Sequence, residues 1–274
     1  MELYKTTSYK TAQLFTERYS TSFSASCQLF APELRQHIYA IYGLVRIVDE
    51  IVDTYRGDDQ LAQLDALESE VCQARIRGYS ANPLVHAFAL TAEHYDIDDV
   101  IVAPFFESMR MDIGDAYTPD RYDEYIYGSA EAVGLMCLRV FVAGDEKQYK
   151  ALEPGAKALG AAYQKVNFLR DIKADHELGR MYFPNVIYES FDEAAKRTIE
   201  TDITADFERA RAYIEQLPLN ARRAVRLSYE YYEGLLSEIK RCSVNDLKKR
   251  RIRVADSKKL RLFMTARFRK LGEQ

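Results

Sequence analysis

A chain of 274 residues, 47% hydrophobic and 29% charged, is long enough to bury a large core. A net charge of −4 with only 12 Gly and 7 Pro excludes a nucleic-acid binder that is basic overall, and also a disordered tail. Cys27, Cys72, Cys137 and Cys242 form no CxxC and MELYKTTSYK is not a secretory signal, so a cytoplasmic, reducing setting is expected. No uncharged apolar run reaches the ~18 residues of a membrane span; VGLMCL is broken by Arg139.

Apolar periodicity is helical almost throughout, and no alternation is long enough to defend as a strand. In chain order it predicts helices over 4–19, 32–53, 59–77, 83–95, 98–113, 120–143, 146–175, 191–216, 219–242 and 246–270. Pro32, Pro83, Pro119, Pro154 and Pro218 read as helix starts, and Pro184 as loop. No Gly/Ser linker, repeat or composition break appears, so residues 1–274 are expected to form a single all-α domain.

Two of these helices carry paired carboxylates. Over 35–53, Tyr39, Tyr42, Arg46, Asp49 and Asp53 recur at intervals of three and four and make one stripe. Ile38, Ile41, Leu44, Val45, Val48, Ile51 and Val52 fill the opposite side. An ordinary surface helix would show such a pattern too, but two Tyr and no Lys suit a cavity wall better than a solvated face. The helix over 157–175 lines up Gly160, Gln164, Asn167, Asp171 and Asp175. Solvated faces are usually mixtures of Lys and Glu, whereas amides beside acids make an oxygen-rich surface suited to hydrated metal. Gly160 permits close approach of a partner helix or a ligand.

The pairs lie 118 residues apart (171 − 53), so only folding brings them together. Two carboxylates roughly 6 Å apart at an effective dielectric of about 20 repel by roughly 3 kcal/mol, which raises a carboxyl pKa by about 2. A cation must offset this, and Mg²⁺, with Mn²⁺ as the alternative, takes carboxylates and completes its shell with water and phosphate. A diphosphate is the fitting ligand, with Arg46 and Arg170 as partners for its oxygens. Arg170 lies off the Gln164–Asn167–Asp171 arc, so a structural salt bridge is its other reading.

At these residues the chain resembles the squalene/phytoene synthase family, the head-to-head prenyl transferases of the isoprenoid-synthase fold. IYGLVRIVDEIVD resembles the first aspartate motif, and YQKVNFLRDIKADHELGRMYFP the second. STSFSASCQLFAPELRQHIYAIYGLVR and DEYIYGSAEAVGLMCL resemble the N-terminal Ser-Phe segment and the central small-residue helix. The resemblance implies a helical bundle around a central cavity. It implies that Asp49, Asp53, Asp171 and Asp175 bind the metal, with Asn167 and Gln164 assisting. Ser20, Ser22 and Phe23 are then flap and substrate wall; Tyr232, Arg251 and Lys259 fall at the diphosphate side. Phe23, Tyr39, Tyr42 and Tyr232 are the aromatic pocket candidates for holding a cationic intermediate, Tyr42 and Tyr232 among the catalytic groups.

The implied reaction joins two geranylgeranyl diphosphates through prephytoene diphosphate to phytoene, a step of carotenoid biosynthesis, with diphosphate released. DIKAD and YGSAEAVGLMCL are most similar to the phytoene synthases of carotenoid-making bacteria, which implies a C20 substrate. Gly128, Ser129, Ala130, Ala132 and Gly134 are expected to leave room for it. Two departures stand out. Ala174 replaces the usual Glu of the second motif, and Glu131 replaces a Gly of the central helix; a carboxylate in an apolar tunnel is costly, so Glu131 is expected to point elsewhere.

The alternatives are a C15-using dehydrosqualene or squalene synthase, a head-to-tail synthase or terpene cyclase, and a non-catalytic assembly factor. The second usually shows adjacent Asp residues, where Glu50 follows Asp49 here, and the third has no need of four metal-binding Asp. The basic tail from Lys240 is expected to cover the diphosphate end or to touch a membrane surface peripherally for product release. Downstream carotenoid enzymes are the further partners expected. The four His form no HxxxH pattern and no Gly-rich phosphate loop appears.

Overall fold

Thirteen α-helices account for most of the computed structural model, which describes residues 1–114 and 117–268 and contains no strand among them. The first six are α1 (Glu2–Tyr19), α2 (Thr21–Cys27), α3 (Pro32–Asp49), α4 (Gln60–Arg77), α5 (Pro83–His94) and α6 (Asp99–Met111). They are followed by α7 (Tyr122–Ile126), α8 (Ala132–Val142), α9 (Glu146–Glu177), α10 (Glu193–Ile214), α11 (Leu219–Arg241), α12 (Val244–Lys249) and α13 (Asp256–Phe268). Two π-helical turns interrupt this pattern: Glu50–Thr54 continues α3, and Tyr127–Glu131 joins α7 to α8.

Local chemistry explains most of the boundaries. Pro32 and Pro83 occupy the first turns of α3 and α5, where a missing N–H costs nothing, and the Asn82 side chain accepts from Leu84 N and Val85 N. Pro119 opens a short 3₁₀ turn and Pro218 caps α11. Pro154 does not start a helix. Helix α9 begins at Glu146, capped by Asp145, and runs through the proline. One backbone donor is lost there, and the packing of a 32-residue helix against α8, α10 and α11 outweighs it.

The seven-residue α2 was not legible as a helix, because TSFSASC has no apolar stripe; Ser20 nucleates it by accepting from Phe23 N at 3.3 Å. The helix expected over 246–270 is two helices. Between α12 and α13 the chain is extended, with Ile252 and Val254 buried and Arg251 and Arg253 exposed. That alternation is the period of a strand-like strap. The last two positions of the expected helix lie outside the described residues.

One hydrophobic cluster runs from Tyr9 to Val254, with Phe88, Phe105, Phe106 and Met136 fully enclosed. Helix α9 is at its centre, tied to α10 by Lys165, which reaches Asp206 at 2.8 Å and also pairs with Asp202. Glycines bring backbones together around the second π turn. A Cβ on Gly128 would lie 2.1 Å from the Pro104 carbonyl oxygen, and one on Gly160 would lie 2.7 Å from that of Ala130. The close approach expected of Gly160 is thus a helix-to-helix contact. Pro119–Val142 is long and apolar enough to cross a membrane by length and composition alone, but 56% of that window is buried within the bundle. The four cysteines are unpaired.

Candidate active site

A cavity of about 990 Å³ lies inside the bundle, at the top of the range of roughly 300–1,000 Å³ usual for small-molecule sites. One wall is α3 with its π turn, which presents Tyr42, Arg46, Asp49 and Asp53; the other is α9, which presents Gln164, Asn167, Arg170, Asp171 and Asp175. Ser20, Ser22 and Phe23 enter from the α2 side, Tyr232 from α11, and Arg251 and Lys259 from the C-terminal strap and α13. Residues separated by up to 239 positions (259 − 20) therefore line one space.

Tyr39 is the exception. It is 3% exposed, packed in the core away from the cavity, and burial pushes its phenol up to about 12. At about 100° per residue, the cavity-facing arc of α3 runs from Ile41 through Tyr42 to Arg46 and leaves Tyr39 just past its edge. The other edge of the same arc brings Ile38, Ile41, Val45 and Val52 onto the wall, residues expected on the far side.

Charge is concentrated at one end. Asp49 opens onto the cavity rather than bulk water, and poor solvation with Asp53 nearby pushes its carboxyl up to about 7 despite Arg46. Arg46 Nη1 stands 3.6 Å from Asp49, and the same guanidinium pairs with Glu50 and lies over the Tyr19 ring. Asp175 is likewise raised to about 7, by burial and then by Asp171. The other member of each pair is held by arginine. Arg180 Nη1 donates to Asp53 at 2.7 Å; Arg170 Nε donates to Asp171 at 3.0 Å and Arg251 Nε at 2.7 Å.

Sequence reasoning missed three groups here. Asp112, at the end of α6, accepts from Tyr125 OH at 2.6 Å and Tyr182 OH at 2.7 Å, and burial raises its carboxyl to about 6. Arg180 links Asp53 to the Asp112 carbonyl, to which it donates at 2.8 Å. Tyr163 stacks on Tyr232 with centroids 3.9 Å apart and extends the aromatic wall on which Phe23 stacks on Tyr42 at 5.0 Å. A lone Asp112 gives no sequence signal, whereas Arg180 stands in ELGRMYFP and the strap announces itself as Arg-Ile-Arg-Val.

The first π turn has its own support. The Gln60 amide, at the start of α4, stands 2.7, 2.9 and 3.0 Å from the carbonyl oxygens of Ile51, Val52 and Tyr55. The amide gathers them where the helix changes pitch, and Arg180 Nη2 also reaches Val52 O at 3.4 Å. Away from the charges the cavity becomes apolar, with Phe30 stacked on Phe141 at 5.2 Å and Leu138, Leu152 and Leu217 beside them. Ser129, Ala130 and Gly134 of the central helix line it, but Gly128 and Ala132 do not. Gly128 faces Pro104, and Ala132 is fully enclosed in the core. Glu131 is off the wall, as expected, with Lys157 and Lys165 as its nearest cationic influences. Ala174 is exposed to solvent and also off the wall.

Among the described residues no three His, Cys, Asp or Glu groups stand close enough to hold an ion in this arrangement, in which arginines engage Asp53 and Asp171. The donor chemistry nonetheless suits a hard divalent cation. Two carboxyls are raised, by burial first and by neighbouring carboxylates second, and Asn167 Oδ1, buried on the α9 wall, has no hydrogen-bond partner. An acceptor left unmatched beside crowded carboxylates calls for a positive group.

This is the helical bundle of an isoprenoid synthase, with an acidic and basic mouth over an apolar interior. The squalene/phytoene synthase family profile matches residues 16–258, and the chain belongs to that family. A 4,4'-diapophytoene synthase from Staphylococcus haemolyticus is 26% identical over 85% of this chain and 87% of its own length. Phytoene synthase 3 of Zea mays is 30% identical over 92% of this chain; the match spans 64% of the maize protein, less than two thirds of it. Among solved structures, a dehydrosqualene synthase in complex with ligand superposes with a TM-score of 0.79 over 96% of both chains at 21% identity. A squalene synthase from Alicyclobacillus acidocaldarius superposes at 0.73, covering 85% of this chain and 93% of its own, at 24% identity.

Proposed function

We propose that the protein joins two prenyl diphosphates head to head, with geranylgeranyl diphosphate as substrate and phytoene as product. The observation that carries this reading is the polarity of the cavity: carboxylates and the arginines paired with them at one end, aliphatic and aromatic side chains at the other. A prenyl diphosphate has the same two ends.

In this reading Arg46, Arg170, Arg251 and Lys259 receive diphosphate oxygens, arginine through paired N–H groups. Asp49, Asp53, Asp171, Asp175 and Asn167 hold Mg²⁺, or Mn²⁺ in its place, which when bound neutralises the diphosphate charge before and during departure. Diphosphate leaves one substrate, the C2=C3 bond of the other captures C1 of the allylic cation, and loss of a proton from that same C1 closes the cyclopropyl intermediate. That intermediate loses its own diphosphate, rearranges and releases a proton to give phytoene. The ring faces of Phe23, Tyr42, Tyr163 and Tyr232 stabilise positive charge, and the apolar interior keeps water from quenching it.

The C20 reading draws on the 30% identity to the maize phytoene synthase and on the small Ser129, Ala130 and Gly134. A C15 substrate is the second reading, favoured by the staphylococcal relative matched over 87% of its length. Labelled C15 and C20 diphosphates, offered together with Mg²⁺ and with or without NADPH, decide between them by the product formed. Wild type is expected to prefer C20. Ala130→Phe, which fills the wall, is expected to lower C20 use more than C15 use; clear preference of wild type for C15 overturns the phytoene reading. We also propose that the reaction runs in the cytoplasm, the reducing setting that four unpaired cysteines suit.

A further inference from the structure

Helix α13 is apolar on two faces. Leu262, Phe263 and Ala266 turn inward and pack with Leu227, Tyr231 and Leu29. On the outside, Leu260, Met264 and Phe268 recur every four residues and stand 63%, 43% and 72% exposed. At about 100° per residue this outer stripe covers an arc of about 80°, with exposed Arg267 on one edge and exposed Arg261 on the other. Neither arginine makes an ion pair with the described residues. The surrounding segment 248–267, KKRRIRVADSKKLRLFMTAR, holds nine Lys or Arg and a single Asp, in a chain whose net charge is −4.

A protein of this size has other exposed apolar residues; what separates this set is its order on one helix and its cationic frame. We propose that the outer face of α13 docks the protein on the surface of an anionic lipid bilayer. A helix lying in the interface needs large apolar side chains to enter the acyl boundary and Lys or Arg beside them to meet lipid phosphates. This face has both. A second copy of the chain is disfavoured as occupant, because two-fold pairing of the stripe would set its arginines and the basic segment against their own images. Nucleic acid would meet the arginines but leave Leu260 and Phe268 without a role.

The position of the helix adds a consequence. Lys259, on α13, and the strap from Arg251 to Val254 that leads into it both line the cavity. Docking through α13 sets that end of the cavity near the bilayer, which suits a hydrocarbon product; this consequence rests on the function proposed above, whereas the docking does not.

The chain contains no Trp, so Phe268→Trp places a lone indole in the stripe. Its emission is expected to shift to shorter wavelength with vesicles of phosphatidylcholine containing about a third phosphatidylglycerol, much less with phosphatidylcholine alone, and to revert in high salt. In cosedimentation with the same anionic vesicles, Leu260→Ser with Met264→Ser and Phe268→Ser should weaken binding about tenfold or more. Arg261→Gln and Arg267→Gln should each weaken it about fivefold. These side chains are exposed, and helicity and melting verify that the variants fold. No emission shift, equal binding by the serine variant, or self-association that this variant abolishes in the absence of vesicle binding overturns the proposal. Asp49→Asn, inactive under the proposed function, is expected to bind vesicles undiminished, so a failure of catalysis leaves the docking standing.

Discussion

The two aspartate walls of the cavity carry the same spacing and are built differently. Asp171 and Asp175 sit on an unbroken helix, one turn apart. Asp49 closes an α-helix, and Asp53 lies in the π turn that follows, whose carbonyls are gathered by Gln60. Each wall nevertheless reaches a similar charge state: one carboxyl raised to about 7 and its partner engaged by arginine. Poor solvation first and like charge second, more than helix geometry, set that outcome. The teaching is that a four-residue spacing records which carboxylates share a face and says nothing about what supports them.

The largest expected effect tests whether both walls serve one reaction. Asp49→Asn and Asp171→Asn should each lower turnover by on the order of 10³-fold or more, with helicity unchanged and melting at neutral pH not lowered. Near-normal turnover by either variant at ordinary Mg²⁺ breaks the symmetry and the metal reading with it.

The next effect concerns pH and uses the fact that α3 carries His37 near its start and Asp49 at its end. His37 hydrogen-bonds Thr91 at 2.9 Å, and burial lowers its ring from an ordinary 6.5 to about 4. Between those values the unfolded chain holds a proton that the folded ring refuses. His37 therefore lends stability that is complete above pH 6.5 and lost as the pH falls toward 4, by roughly 3 kcal/mol at most. Asp49 acts in the opposite direction, because its raised carboxyl takes up a proton in the folded state first, which favours folding as the pH falls below about 7. His37→Gln should flatten the acid limb of a melting-versus-pH curve, and Asp49→Asn should steepen it. Identical curves for the two variants would remove the assignment.

Gln60→Leu separates the walls. The carbonyls of Ile51, Val52 and Tyr55 lose the Gln60 donor, Val52 keeping only Arg180 Nη2 at 3.4 Å, so a stability loss of roughly 1–2 kcal/mol is expected, together with a higher Mg²⁺ requirement as Asp53 loosens. Chemical denaturation and a Mg²⁺ titration of turnover read the two effects. An unchanged Mg²⁺ requirement would mean that Arg180 alone positions Asp53.

The smallest effect belongs to the second wall. Ala174 is exposed and off the cavity, so Ala174→Glu should alter the Mg²⁺ requirement by no more than about threefold, as a surface charge does. Product should be unaffected. A change of product would mean that the second motif also shapes the reacting chains.

Local patterns in the sequence determined the helices, the two acidic stripes and most of the groups that meet in the cavity, because a period of 3.6 residues assigns side chains to faces before any packing occurs. Tyr42, Arg46, Gln164 and Asn167 were legible in this way. Tertiary structure alone decided how wide the exposed arc of α3 is, which moved Tyr39 into the core and Ile38 and Val45 onto the wall. It also decided that Ala132 is enclosed, while its neighbours Ala130 and Val133 line the cavity. Asp112 became visible only when α6 and the segment after α9 met beside Asp53, since a single charged residue carries no period, whereas Arg180 stood within ELGRMYFP and needed the fold only to show its partners. The break between α12 and α13 was written in the alternation of Arg251, Ile252, Arg253 and Val254, but four residues are too few to compete with the helical patterns on either side until a buried surface selects them.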